Sequence, residues 1–298
     1  MRLMTFGFSK HCWLFIYFSC LMISDAFLQT HNTLARENNS SHFDSLQKRL
    51  IDDGFNKDMI TMLYNNPLVY FDAKGVSLFF KHKESTLNYD QFTTKESIQK
   101  ARNYIKKYKK EFSRAQKDYG VNKEVITAII LVETRLGTVT GKKSVLNILS
   151  TMASLLDPNV KKMLWGKISG SSELTFNDYE KWVQKRAKWS YKELKAFLKY
   201  TSREKLDPSS IYGSCAGAIG IAQFMPSNIL FIAKDGNSDG SINLFDHADA
   251  ISSIASYLKH YGWHPHINEK KAYEVIYHYN HSAYYVNIIL KIADILKG

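Results

Sequence analysis

A glutamate, Glu133, closes an unusually apolar run: residues 125 to 132 read VITAIILV, and the chain then turns away through ETRLG. A carboxyl in such surroundings is costly to ionise. Desolvation raises a buried carboxyl's pKa and keeps it protonated near neutral pH, as a general acid for a glycosidic oxygen requires. The competing reading is an ion pair between Glu133 and Arg135, or another base near the helix end. A second segment, GSCAGAIGIAQFMPS from Gly213 to Ser227, combines small residues with hydrogen-bonding ones. Its glycines let backbone approach a ligand or a packed helix, and Pro226 suits the first turn of a helix. Ser214 and Gln223 offer donors and acceptors suited to a sugar, although the same composition describes a tight turn between helices. No Lys-Ser or Lys-Thr follows these glycines, so the segment is not a phosphate loop.

A third segment has the spacing of a cation loop. In DGNSDGSINLFD, Asp235, Asn237 and Asp239 stand at positions 1, 3 and 5, Gly240 at 6, Ser241 at 7 with its carbonyl, and Asp246 at 12. This predicts an EF-hand-like site for a structural calcium ion, with Asn243 at position 9 acting through water. Asp246 is shorter than the usual glutamate, which points to modest affinity; the alternative is an empty acidic loop. His278 and His281 have zinc-like spacing, with His260, His264 and His266 upstream, but no HExxH occurs. They are read as surface or hydrogen-bonding histidines.

The elements that must position these residues are helical. Asn122 is a candidate N-cap for a buried helix over 123–134. Before it, the apolar spacing of Phe43, Leu46, Leu50 and Ile51 predicts a helix, another short one covers 58–63, and a long amphipathic helix runs over 95–119 to Gly120. Residues 70–89 are ambiguous: Val76, Leu78 and Phe80 alternate as in a short strand, and the segment equally suits an irregular arm. Further helices are expected over 146–155, 176–188, 191–200, 226–234, 248–260, 269–279 and 284–296. Strands and helices do not alternate and no repeat is evident, so the fold class is mainly α.

With 298 residues and 45% hydrophobic content the chain can bury a large core. Arg2 and Lys10 precede the apolar stretch CWLFIYFSCLMI, and Ser24 and Ala26 are small. That is the layout of a signal peptide over residues 1–26, followed by a polar segment over 27–42. Its twelve-residue core spans only about 18 Å as a helix, short of a bilayer. Cleavage there removes two of the three cysteines and leaves Cys215 alone, so packing must hold the mature fold without an intrachain disulfide. The formal charge of +12 favours a polyanionic partner. No nucleic-acid-binding signature accompanies it, and the cluster from Lys106 to Lys117 reads most simply as a solvated helix face.

Taken together, ETRLG, GSCAGAIGIAQFMPS, DGNSDGSINLFD, SIASYLKHYGW and YNHSAYY closely resemble the MltB-like family of membrane-bound lytic murein transglycosylases. The resemblance covers residues 43–298. It implies a goose-type lysozyme-like core with additional helical substructures, and a peptidoglycan glycan strand rather than nucleic acid as partner. It implies cleavage of the β-1,4 bond between N-acetylmuramic acid and N-acetylglucosamine, leaving a 1,6-anhydromuramoyl end. On this resemblance Glu133 is the sole acid/base, with no cofactor for the chemistry. Ser214 and Gln223 position the glycan, Tyr279, Asn280 and Tyr285 line or support the cleft, and Phe224 packs behind or against sugars. A hydrolytic muramidase and an inactive wall-binding protein are the alternatives. The resemblance also implies a periplasmic, monomeric protein, with peripheral membrane or wall-synthesis partners allowed. Cys215 stands where the family usually has an aromatic, Ile221-Ala222 replaces a glycine-rich pair, and Leu131-Val132 replaces Gly-Val. These departures bear on subsite shape and local packing.

Overall fold

Two helices with almost no solvent-facing side anchor the architecture. The computed structural model describes residues 42–81, 88–169 and 175–298. The expected leader and most of the polar segment after it lie outside these residues. In helix α6 (Lys123–Thr134) every residue from Val125 to Thr134 is buried, and in α7 (Val145–Ser154) all ten are. A helix buried on all sides belongs inside a core, and the other elements wrap these two. The first neighbours are α1 (Asp44–Asp52), α2 (Lys57–Asn65), α3 (Ala73–Lys81), α4 (Lys95–Lys107) and α5 (Lys109–Tyr119). After α6 and α7 come α8 (Pro158–Ile168), α9 (Phe176–Arg203) and α10 (Pro226–Phe231). The chain then forms α11 (His247–His260), α12 (Glu269–Tyr279) and α13 (Ala283–Lys297). Helix α7 lies against α9, and α6 lies between α13 and α4. A short antiparallel pair, β1 (Lys143–Ser144) with β2 (Tyr212–Gly213), sets Lys143 opposite Gly213.

The polar side chains buried on α7 carry the N-terminal segment. Ser150 Oγ is 2.8 Å from Tyr64 Oη, and Thr151 Oγ1 accepts from Asp72 N at 2.9 Å. Asn147 accepts from Tyr70 N and donates to the Leu68 carbonyl. Arg49 donates to the Ala153 carbonyl at 2.8 Å. Buried polar groups this well paired fix a register that apolar contact alone would leave loose.

Several expectations need correction. Residues 73–81 are helical, not a strand: Asp72 caps the helix by accepting from Gly75 N at 2.7 Å and is itself held by Lys143 Nζ at 3.2 Å, which outweighs the alternating pattern. The single helix expected over 95–119 is two, broken at Tyr108, whose ring stacks on His247 with centroids 4.5 Å apart. The two helices expected over 176–200 are one, because nothing near Trp189-Ser190 interrupts the buried stripe of Ala187, Ser190, Leu194, Phe197 and Thr201. Helix α8 was not anticipated; Asp157 caps it through Asn159 N with Pro158 behind, and Asp178 joins Thr175 in a capping box for α9. Asn122 has N-cap backbone geometry without a side-chain cap bond. Helix α10 stops at Phe231, three residues short of the expected end. Among the described residues, no helix is long and apolar enough to cross a membrane.

Asp72→Ala is expected to destabilise the fold by about 1–2 kcal/mol, the usual cost of losing an N-cap. Urea denaturation checks it: the midpoint should fall with the slope unchanged.

Candidate active site

Helix α6 delivers Glu133 to its last turn with only 2% of its surface exposed. Beyond it, Arg135 and Leu136 both adopt left-handed backbone, with φ of 50° and 62°, conformations that L residues hold only when their surroundings impose them. The buried Thr134 explains the imposition. Its hydroxyl accepts from Gly137 N at 3.1 Å and lies 3.1 Å from the Ile221 carbonyl, tying the end of α6 to the glycine-rich loop. Arg135 does not turn back to Glu133: it is exposed and donates to Gln91 Oε1 at 2.6 Å. The carboxyl is instead met from α13, where Tyr285 Oη donates to Glu133 Oε1 at 2.7 Å. Burial, and then the charge of Glu133, push the Tyr285 phenol well above its ordinary pKa, so it remains a neutral donor.

Tyr285 in turn stacks on Tyr279, with centroids 6.4 Å apart and planes within 5°. Tyr279 Oη donates to the Ala222 carbonyl at 2.5 Å, linking α12 to the same loop that Thr134 holds. Asn280 lies between these tyrosines in the chain, 4% exposed, with an amide oxygen that has no hydrogen bond among the described residues. Phe224 is 2% exposed and packs on Tyr257 and Tyr279, so its ring lies behind the site rather than on its surface.

The loop that carries Ser214 and Gln223 is stapled across itself. Ile219 and Phe224 exchange both backbone hydrogen bonds, and Ser214 N donates to the Ala218 carbonyl. Ser214 Oγ accepts from Ala216 N and Ala218 N, which makes it the brace of its own turn. Gln223 has φ of 49° and spends its amide nitrogen on the carbonyls of Gly220 (2.7 Å) and Thr140 (3.0 Å). Its contribution is to hold the loop against the chain that leaves α6. Gly141 is required here, since with φ of 105° a Cβ would strike the Gly213 carbonyl. Cys215 is a buried thiol in this turn.

Residues not anticipated from the sequence complete the frame. Glu193 of α9 accepts from both the N–H and the hydroxyl of Ser227 at 2.9 Å, fixing the end of the loop. Burial raises its pKa and these two bonds oppose the rise. Thr134 had a signal, its place beside Glu133; Glu193 had none.

The segment Asp235–Asp246 folds as a compact turn. Asp235 accepts from Ser238, Asp239 and Gly240 N–H groups, Asp239 accepts from Ser241 N, and Asn237 Nδ2 donates to Asp239 Oδ2 at 2.9 Å. The oxygens of Asp235, Asn237 and Asp239, with the Ser241 carbonyl, are the hard donors calcium takes. Asp246 fits less well, because it caps α11 by accepting from Ala248 N at 2.7 Å. Asp249, unforeseen, closes the loop by accepting from Gly236 N and Asn243 N. Among the described residues, no three His, Cys, Asp or Glu side chains gather as a metal cluster, His278 and His281 included. The loop nonetheless reaches the site: Ile221 N donates to the Leu244 carbonyl at 2.8 Å.

The chain's sequence matches a domain-family model, described as the transglycosylase SLT domain, over residues 38–270. The chain belongs to the transglycosylase SLT-domain family. It is 37% identical over 173 residues to membrane-bound lytic murein transglycosylase B of Escherichia coli strain K12. That match covers 58% of this chain and 40% of the relative's length. The structure of soluble lytic transglycosylase SltB1 from Pseudomonas aeruginosa superposes with a TM-score of 0.68 and 25% identity, covering 87% of this chain and 98% of that one. The Escherichia coli lytic transglycosylase Slt35 in complex with calcium gives 0.66 and 24%, covering 90% of this chain and 96% of that one. The SLT-domain chain thus has the mainly helical, lysozyme-like fold of lytic transglycosylases.

Tyr285→Phe strips Glu133 of its phenolic donor while keeping the ring. It is expected to cost about 1–3 kcal/mol, the penalty of a buried polar group losing its partner. Calorimetric melting of the variant against wild type measures it.

Proposed function

We propose that this protein is a peptidoglycan lytic transglycosylase in which Glu133 is the single acid/base. The observation that carries the reading is the hydrogen bond from Tyr285 Oη to Glu133 Oε1 at the end of a helix buried on all sides. Burial favours the neutral carboxyl, and the phenol holds one of its oxygens in place. Protonated Glu133 donates to the oxygen joining N-acetylmuramic acid to N-acetylglucosamine as the C1–O bond breaks. The resulting carboxylate then accepts the proton of the muramoyl C6 hydroxyl as its oxygen bonds to C1, closing the 1,6-anhydro ring and restoring the acid. An internal hydroxyl held near C1 makes a second carboxylate unnecessary.

Tyr285 and Tyr279 hold the carboxyl and the loop in register, and Asn280 offers its amide oxygen beside them. Ser214 and Gln223 shape the loop that faces the glycan, with Phe224 supporting it from behind. The substrate is a peptidoglycan strand, in line with the name of the Escherichia coli relative, and the working place is the periplasm after export. Asp235, Asn237, Asp239, the Ser241 carbonyl and, after rotation, Asp246 would hold a structural calcium ion, in line with the Slt35 calcium complex. The ion would brace Leu244 against Ile221 and supply no step of the reaction.

Glu133→Gln keeps the shape of the side chain and removes the transferable proton. Turnover of purified sacculi should fall by at least about 10²–10⁴-fold with an unchanged circular dichroism spectrum; near-wild-type turnover in the folded variant would remove Glu133 from the mechanism. Ser214→Ala and Gln223→Ala should retain measurable turnover, since neither supplies the proton. Calorimetric titration of chelator-treated protein should show calcium uptake, and saturating calcium should raise stability by about 2.7 kcal/mol at a hundred times the dissociation constant. Absence of both uptake and a shift in melting would rule the ion out.

A further inference from the structure

Two half-exposed tyrosines stand where the N-terminal segment meets the loop of the candidate site. Tyr70 is 43% exposed and Tyr212 is 49% exposed, with Leu68 beside them at 57%. They are far apart in sequence, yet two separate ties lay their segments side by side. Asn66 Nδ2 donates to Ser209 Oγ at 3.4 Å. Asn147 accepts from Tyr70 N and donates to the Leu68 carbonyl, while its own backbone N–H donates to Ser144 Oγ, the residue paired with Tyr212 in the strand register. The backbone under both rings is therefore fixed. The buried Val69 and the buried Gly213, alternating with exposed neighbours, leave Tyr70 and Tyr212 pointing away from the core.

Among the described residues, neither Tyr70 nor Tyr212 makes a ring contact or a phenolic hydrogen bond. Aromatic surface held on fixed backbone is already ordered to receive a ligand and loses little freedom on binding one. Tyrosine suits a saccharide: its face covers the C–H side of a pyranose, its hydroxyl meets the sugar's own, and it loses little conformational entropy in doing so. Tyr212 directly precedes Gly213 and Ser214, so the pair continues the glycine-rich loop.

We infer that Tyr70 and Tyr212 form a saccharide-stacking platform that seats pyranose rings of the glycan strand away from the bond being cleaved. The inference rests on the proposed reading of the site as a peptidoglycan cleft. The platform makes no contact with the reacting atoms and acts on how a long strand is held. It contributes binding that is the same before and during the reaction, which is felt in KM rather than kcat.

The test uses the full chain and peptide-free glycan strands. Tyr70→Ala and Tyr212→Ala should each raise KM by about tenfold, the cost of one stacked ring, with kcat little changed. Tyr212→Trp should restore the wild-type KM, which a merely structural role would not predict. Fluorotyrosine resonances of the wild type should shift at Tyr70 and Tyr212 on adding an N-acetylglucosamine oligomer. Unchanged KM in both variants together with unshifted resonances would overturn the platform, as would a KM rise seen only when stem peptides are present. A wild type that cleaves nothing but still shows the two shifts would sink the proposed reaction and leave the platform standing.

Discussion

A carboxyl set at the end of a helix without a polar face needs a partner inside the protein, and Glu133 finds it in Tyr285. The bond links α6 to the first turn of α13 across 152 residues of chain. Much of the surrounding structure keeps these two helix ends in register. Ser282 caps α13 by accepting from Tyr285 N, Tyr279 stacks on Tyr285 and reaches the Ala222 carbonyl, and Thr134 ties the other side of the helix end to Ile221. The glycine-rich loop is held from both flanks of the carboxyl, and left-handed backbone at Arg135 and Leu136 is the strain this geometry imposes.

The loop's outer supports extend that logic. Leu244, at the far end of the turn that begins with Asp235, accepts from Ile221 N, while Tyr200 and Glu204 of the α9 end hold Ile242. Arg114 of α5 donates to the Gly236 carbonyl. A cation in this turn would act on the carboxyl only through these bonds, which separates a structural ion from a catalytic one. Glu193 supports the other end through Ser227, so the loop between two rigid braces has little freedom to drift from the buried carboxyl.

Legibility from sequence followed how local the deciding interaction was. The buried helix with Glu133 was readable because a run of seven apolar residues interrupted only by Thr127 permits few alternatives, and α11, α12 and α13 lie close to the spans expected for them. Residues 73–81 were not, since Val76, Leu78 and Phe80 alternate, while the cap that favours a helix needs Asp72 held by Lys143 and Thr151 from elsewhere in the chain. The break at Tyr108 depends on His247, which is equally remote. In the site, Glu133, Ser214 and Gln223 stood out by type and motif. What they touch did not: Gln223 looks like a sugar-binding amide, yet its nitrogen is committed to Gly220 and Thr140. Glu193 and Asp249 carry no local signal at all, because their work is to satisfy backbone N–H groups that only the folded chain brings near.

The central claim, that a single carboxyl suffices because the attacking hydroxyl belongs to the substrate, predicts the origin of one oxygen atom. Digestion of purified sacculi in ¹⁸O-labelled water, followed by mass spectrometry of the unreduced muropeptides, reads it directly. The account predicts anhydromuramoyl products about 18 Da lighter than hydrated ends, with no heavy oxygen incorporated, since no water enters the bond. Hydrated reducing ends carrying the label would contradict it and make water the nucleophile at Glu133.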